Sequence, residues 1–169
     1  MTTAQLILDT ASRVIHVGTA ITLVGGSVFM AFALMPAAAA KLSDEEHDRL
    51  REGVLGRWKK FVGPGIGLFL ISGFYNFARM VPLHKGDSLY HALLGTKILL
   101  AFAVFFIASA LVGKSKGLEG MRQNRAKWLK VLIILAATIV CISGFVKVRK
   151  YTPPTTPATA AVESAGVRL

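Results

Sequence analysis

The sequence predicts an all-α integral membrane protein, a bundle of four transmembrane helices, and three observations predict it. Of the 169 residues, 53% are hydrophobic, and the mean hydropathy is +0.55. The apolar residues gather into four blocks, about 14–40, 61–81, 92–113 and 129–146. Each approaches or exceeds the roughly 20 residues that cross ~30 Å of hydrocarbon at 1.5 Å per residue. The blocks are continuous rather than alternating, and so few strands could not close a barrel. At this length the chain is one domain. Residues 1–151 are read as the transmembrane domain, with helices at about 13–40, 57–81, 90–113 and 128–148.

The first block has features of a leader, because "ALMPAAAAKL" (33–42) offers small residues like those of a cleavage site. A signal peptide needs a basic n-region and an apolar core of about 7–15 residues. Here Asp9 offsets Arg13 and the apolar run is about twice too long, so this segment is read as an uncleaved helix. Next comes "KLSDEEHDRLREGVLGRWKKF" (41–61), where Ser43 followed by Glu46 makes a capping box. With Leu42, Leu50, Val54 and Leu55 on one side, it predicts a short helix running into the second span. His47, among Asp44, Glu45 and Asp48, fits a solvated, charge-mixed face better than a metal site.

Gly63 and Gly67 form a GxxxG on the second span, and Gly18, Gly25 and Gly26 notch the first, so both are expected to pack closely. Pro64 falls in the first turns of the second span and Pro36 near the end of the first. Trp58 and Trp128, each flanked by basic residues, are expected as headgroup anchors. The single cysteine, Cys141, excludes an internal disulfide and any CxxC motif. "TPPTTPATAAVESAGVRL" (152–169) has no periodicity and is read as a disordered tail.

The formal charge is +11, and its distribution points to membrane topology rather than to nucleic acid. Lys41, Arg49, Arg51, Arg57, Lys59 and Lys60 follow the first span. Lys114, Lys116, Arg122, Arg125, Lys127 and Lys130 follow the third. The opposite side holds seven basic residues, including Arg13, Arg79 and Arg149. The positive-inside rule then places both long loops in the cytoplasm and both termini outside, in what is expected to be the bacterial cytoplasmic membrane. A repeat accompanies this arrangement. "LISGF" (70–74) follows Trp58 as "CISGF" (141–145) follows Trp128, and "HVGTAI" (16–21) echoes "LLGTKI" (93–98). The two hairpins read as parallel copies about a pseudo-twofold axis along the membrane normal.

Lys97 stands inside the third apolar block, where a charge costs about 2.5–3.5 kcal/mol at the helix centre on insertion scales. Other polar groups share its half of the membrane: His16, Tyr75, Asn76, Tyr90, His84 and His91. At 100° per residue Tyr90 shares a face with Lys97. The repeat register turns both His16 and Lys97 into the bundle, with Lys97 about one turn deeper. Lys97 could instead snorkel to headgroups, and His16 could bond a backbone carbonyl. Neutral imidazole ligates haem iron or copper, and an ammonium pairs with a propionate. No carboxylate in the spans is placed to neutralise Lys97, so an anionic ligand is expected to do so. Helices 2 and 4 lack His, which leaves one axial ligand for a haem. Met80, His84 and His91 cluster at the outer surface and could capture copper, together with His16. Met30 and Met35 are five apart and share no face.

"HVGTAITLVGGSVF" (16–29), "LFLISGF" (68–74) and "YHALLGTKILLAFAVFF" (90–106) together resemble the copper-resistance D (CopD) domain over about 13–148. The chain is also similar to the related HemJ-type protoporphyrinogen oxidases, whose first-helix His and third-helix Lys match His16 and Lys97. The resemblance implies a copper or tetrapyrrole role for that pair. Leu23 stands where both groups tend to have Trp, and "MAFALMP" (30–36) where the oxidases have Tyr-x-x-Arg. The leading expectation is a CopD-like protein handling copper or a haem-type cofactor such as haem b, with His16, Lys97, Tyr90, Tyr75 and Asn76 about the cofactor. The alternatives are a porphyrinogen oxidase and a structural or partner subunit without cofactor. The lipid bilayer is the expected partner; a homo-oligomer or another membrane subunit stays open.

Overall fold

The computed structural model describes residues 2–149, and these are helical almost throughout, with no strand among them. Helix α1 (Thr3–Phe29) opens on a capping box: the Thr2 hydroxyl accepts from the Gln5 amide, and the Gln5 side chain accepts from Thr2 N. The cap starts the helix well ahead of the apolar block, at Thr3 rather than about 13. A π-helical turn (Met30–Leu34) then leads into α2 (Met35–Lys41). There Met35 N bonds Met30 O, five residues back, just before Pro36, which has no N–H to offer. The widened turn lets one span run from Thr3 to Lys41 through the proline.

The Ser43–Glu46 capping box forms as the spacing predicts, with Ser43 N donating to Glu46 Oε2 at 3.0 Å. From it α3 (Asp44–Met80) runs unbroken for 37 residues, about 55 Å, so roughly half its length exceeds the ~30 Å hydrocarbon layer. Pro64 therefore lies deep inside a helix rather than in its first turns. A 3₁₀ turn (Val81–His84) joins α3 to α4 (Ser88–Val112). After a second 3₁₀ turn (Lys116–Leu118), the short α5 (Glu119–Gln123) leads to α6 (Arg125–Val148).

Four stretches are long and apolar enough to cross a bilayer: Thr3–Lys41, Asp44–His84, Ser88–Val112 and Arg125–Val148. α1 packs chiefly on α3 and α4 on α6, while α3–α4 and α1–α6 contacts close the ring. The result is an all-α four-helix bundle. Its outer surface carries large apolar side chains such as Ile71 and Leu99, each 72% exposed. A water-soluble monomer rarely shows so much contiguous apolar surface, whereas a bilayer covers it. Met30, Ile107, Leu111, Leu129 and Leu132 form the buried core, with Trp58 and Trp128 against it. This core sits toward the end bearing the two long basic loops, hereafter the basic end; the opposite, terminal end holds the α1 N-terminus, the α3–α4 turn and the α6 C-terminus.

The glycines divide sharply. A Cβ at Gly18, Gly25, Gly63 or Gly67 would meet nothing within 4 Å, so the GxxxG mediates no contact inside the described bundle. Close approach falls instead on Gly65, against Leu23 at 3.0 Å, and on Gly26, where a Cβ would lie 2.2 Å from Trp58 Cη2. With no side chain at 26, the Trp58 indole packs against α1 and the core. Gly26→Ala is therefore expected to destabilise the bundle by about 1–3 kcal/mol through overpacking. Gly25→Ala is expected to be neutral or to gain up to about 1 kcal/mol from helix propensity. Thermal unfolding of the two variants in one detergent checks the contrast.

Candidate functional site

Polar residues on α1 at positions 9, 12 and 16, spaced i, i+3 and i+7, fall along one face. On α3 they meet residues 79, 75 and 72. Ser12 Oγ donates to the Ser72 carbonyl at 3.2 Å, and His16 Nδ1 lies 3.0 Å from Ser72 Oγ. Nearer the terminal end, Asp9 takes Arg79 through two oxygens, each at 3.0 Å, and accepts the Tyr75 hydroxyl at 2.7 Å. A single polar seam thus joins α1 to α3.

The seam bears on the tautomer of His16. Ser72, 4% exposed, donates its only hydroxyl proton to the Leu68 carbonyl at 2.7 Å, with Phe69 O at 3.2 Å. With that proton on Leu68, the Ser72 oxygen is an acceptor for an Nδ1–H of His16. In that tautomer Nε2 keeps its lone pair and meets no other side-chain donor among the described residues. The ring leans on Phe69, centroids 3.9 Å apart, and a Cβ at Gly73 would come within 3.3 Å of it. Glycine there leaves room for the imidazole.

Lys97, on α4, is half-buried, and its ammonium lies within electrostatic reach of the His16 ring. Among the described residues it makes no hydrogen bond or ion pair. Among the described residues, the two carboxylates of this end are engaged elsewhere, Asp9 with Arg79 and Asp87 with Arg149. Lys97 thus stands within electrostatic reach of His16, and no carboxylate among the described residues pairs with it.

None of the other expected site residues is hydrogen-bonded to this pair among the described residues. Tyr75 belongs to the Asp9–Arg79 seam, and Asn76, beside it in sequence, makes no side-chain hydrogen bond. Tyr90 is 7% exposed and stacks flat on His84, centroids 3.8 Å apart at 6°; His91 meets Tyr90 edge-on at 5.6 Å. His84 Nδ1 donates to the Met80 carbonyl at 3.0 Å. Met80, His84, Tyr90 and His91 form a second cluster around the α3–α4 turn. No group of three or more His, Cys, Asp or Glu side chains able to hold a metal occurs among the described residues.

Sequence reasoning passed over Asp9, Ser12, Ser72 and Arg79 as partners, and over the Asp87–Arg149 pair. A signal was present: Asp9 is the lone acid of the first span and Arg79 the lone base ending the second. Ser72 stood in view inside "LISGF", noticed as a repeat marker rather than as a polar group needing a partner.

Comparison with protein-family models, curated proteins and solved structures finds no match to this chain. Its chemistry is argued from its own residues.

Asp87 closes the second hairpin. It caps α4 through Tyr90 N at 3.0 Å and grips Arg149 at the end of α6. Burial opposes its ionisation, but the Tyr90 amide and the Arg149 guanidinium outweigh it, and His84 adds to them, so its pKa falls below the usual carboxylate value. A depressed carboxylate contributes stability above its unfolded pKa, and that contribution is lost as pH falls through the folded pKa. Unfolding in detergent should therefore show an acid-induced loss confined below the ordinary carboxylate range. Asp87→Asn should be less stable than the parent at neutral pH, with a shallower acid limb.

Proposed function

We propose that this chain is a CopD-like membrane protein of the bacterial cytoplasmic membrane that binds one haem-type tetrapyrrole between His16 and Lys97. The carrying observation is the His16–Ser72 hydrogen bond, which, with Nδ1 donating, leaves Nε2 as the ligating nitrogen. Histidine ligands characteristically donate their second ring N–H to such a partner, which fixes tautomer and ring orientation and raises basicity. Lys97 supplies the second requirement. An unpaired ammonium in a span is retained where it meets charge of opposite sign, and a tetrapyrrole carboxylate provides it. When bound, the tetrapyrrole iron would supply redox or ligand-binding chemistry; the chain's own residues orient the imidazole, pair the carboxylate and hold the helices around the site.

Copper finds weaker support. Its expected ligands, His16 with Met80, His84 and His91, are split between the α1–α3 seam and the α3–α4 turn. His84 also spends Nδ1 on a backbone carbonyl, leaving one nitrogen for an ion.

The parallel hairpin repeat draws support from the bonding. Arg79 lies as far beyond Trp58 as Arg149 beyond Trp128, and each Arg grips an Asp of its own hairpin. Ser72 and Ser143, in the two "ISGF" segments, each donate to the carbonyl one turn back. On this reading His16 and Lys97 are what distinguishes the copies. The excess of basic residues at the other end fits a cytoplasmic location for the long loops, with both termini outside.

The test is an absorption spectrum of the detergent-purified protein, as isolated and after hemin titration. A Soret band at about one haem per chain is expected, absent in His16→Ala. Ser72→Ala should weaken hemin binding about 10–100-fold, the usual effect of losing such a supporting bond. Lys97→Met should lower affinity while leaving the Soret position in place. A protein that takes up no hemin, or one whose uptake survives His16→Ala, would overturn the reading.

A further inference from the structure

The basic end holds a feature that the His16–Lys97 reading leaves unused. A cavity of about 140 Å³ runs between the four spans, from Ala20, Phe69 and Ala101 to Arg51 and Arg125. Apart from Ser27, its wall is apolar until it reaches those two guanidiniums. A second cavity of about 220 Å³ adjoins it and shares Met35, Arg51, Arg125 and Leu129. Arg122, Lys130 and His47 complete its basic lining, and no acidic side chain among the described residues lines either cavity.

Four features of this mouth call for an anion. Arg51 and Arg122 lie close enough to Arg125 for their like charges to repel. Backbone carbonyls hold two of the guanidiniums in place: Arg125 donates to Leu111 O at 2.5 Å and Arg122 to Ser115 O at 2.7 Å. The one carboxylate in contact, Asp48 on Arg51 at 3.0 Å, is a solvent-exposed partner, and such pairs are weak. Finally, His47 Nε2 is buried without a hydrogen-bond partner, the only such side-chain atom among the described residues. A buried nitrogen left unpaired beside fixed guanidiniums is the complement of a multivalent oxyanion.

We propose that the basic end is a binding site for a phosphate-headed lipid, its phosphate on Arg51, Arg122, Arg125 and His47 and one acyl chain in the central cavity. Guanidinium forks match phosphate oxygens bidentately, which favours a phosphate head over a single carboxylate. The cavity beyond resembles in size the dry apolar cavities that take up benzene-sized groups. It accommodates part of one chain, and the rest leaves between helices into the surrounding lipid. The arginine mouth stands at the opposite end of the cavity from Phe69, on which the His16 ring leans, so the R51Q/R125Q result is read independently of the tetrapyrrole reading.

Native mass spectrometry of the delipidated protein, titrated with dioleoylphosphatidylglycerol, dioleoylphosphatidylcholine or inorganic phosphate, tests the proposal. One phosphatidylglycerol per chain is expected at least tenfold tighter than phosphatidylcholine, and millimolar inorganic phosphate should not displace it. The R51Q/R125Q pair should abolish this preference while hemin binding stays as in the parent. Ala136→Phe, which fills the cavity wall away from the arginines, should weaken phosphatidylglycerol without restoring phosphatidylcholine. Equal binding of the two lipids, or a preference that survives R51Q/R125Q, would overturn the proposal. Displacement by inorganic phosphate, or indifference to Ala136→Phe, would overturn the seated acyl chain. Thermal unfolding of each variant separates lost binding from lost fold.

Discussion

A polar group held inside a bilayer must find its partner within the protein, because hydrocarbon offers none. That constraint organises the terminal half of this molecule. Asp9, Ser12 and His16 on α1 each find a partner on α3, and Asp87 finds Arg149. These contacts set how α1 and α3 face one another, since a helix bonded at three points along one face has little freedom to rotate. The orientation of His16 follows from the same bonds. Lys97 is the exception that gives the half its character: a cation among satisfied neighbours, with both nearby acids committed elsewhere.

The basic half follows different physics. Its contacts are apolar, made by Met30, Ile107, Leu111, Leu129 and Leu132, with the Trp58 indole seated on Gly26. The π turn before Pro36 belongs to this half as well. Through it α1 continues without a break to Lys41 while Met30 stays buried. A central cavity remains between the four spans, and it reaches the arginines at this end. One end of the bundle is therefore tied by directional bonds and the other by shape, and polar chemistry is available at both.

The helical spans were legible because hydrocarbon thickness sets their length and continuous apolar runs report it. The capping box at Ser43 was legible for an equally local reason, being complete within four residues. What the sequence concealed was pairing. Asp9 and Arg79 are 70 residues apart, and nothing in either neighbourhood says that α1 and α3 present them at one depth. Ser72 stood only as part of the "LISGF" repeat because its role depends on His16, 56 positions away. Trp58 read as an interfacial anchor from its basic neighbours, which say nothing of its packing on Gly26. Likewise Gly63 and Gly67 have a recognised spacing but face no helix of the described bundle, whereas Gly65 between them meets Leu23. Spacing reveals a motif; the face a helix turns inward depends on the whole ring of neighbours.

The tautomer of His16 carries the central claim, because the hydrogen bond from Nδ1 to Ser72 both locks the α1–α3 seam and frees Nε2. Nitrogen-15 NMR of histidine-labelled protein in lipid at neutral pH measures it directly, with the His16→Gln spectrum assigning the signal among four histidines. A neutral ring protonated on Nδ1, with its Nε2 resonance that of an unprotonated nitrogen, is the predicted result. A ring protonated on Nε2 would contradict the account, since Ser72 would then have to donate to Nδ1 and no lone pair would remain to bind a ligand.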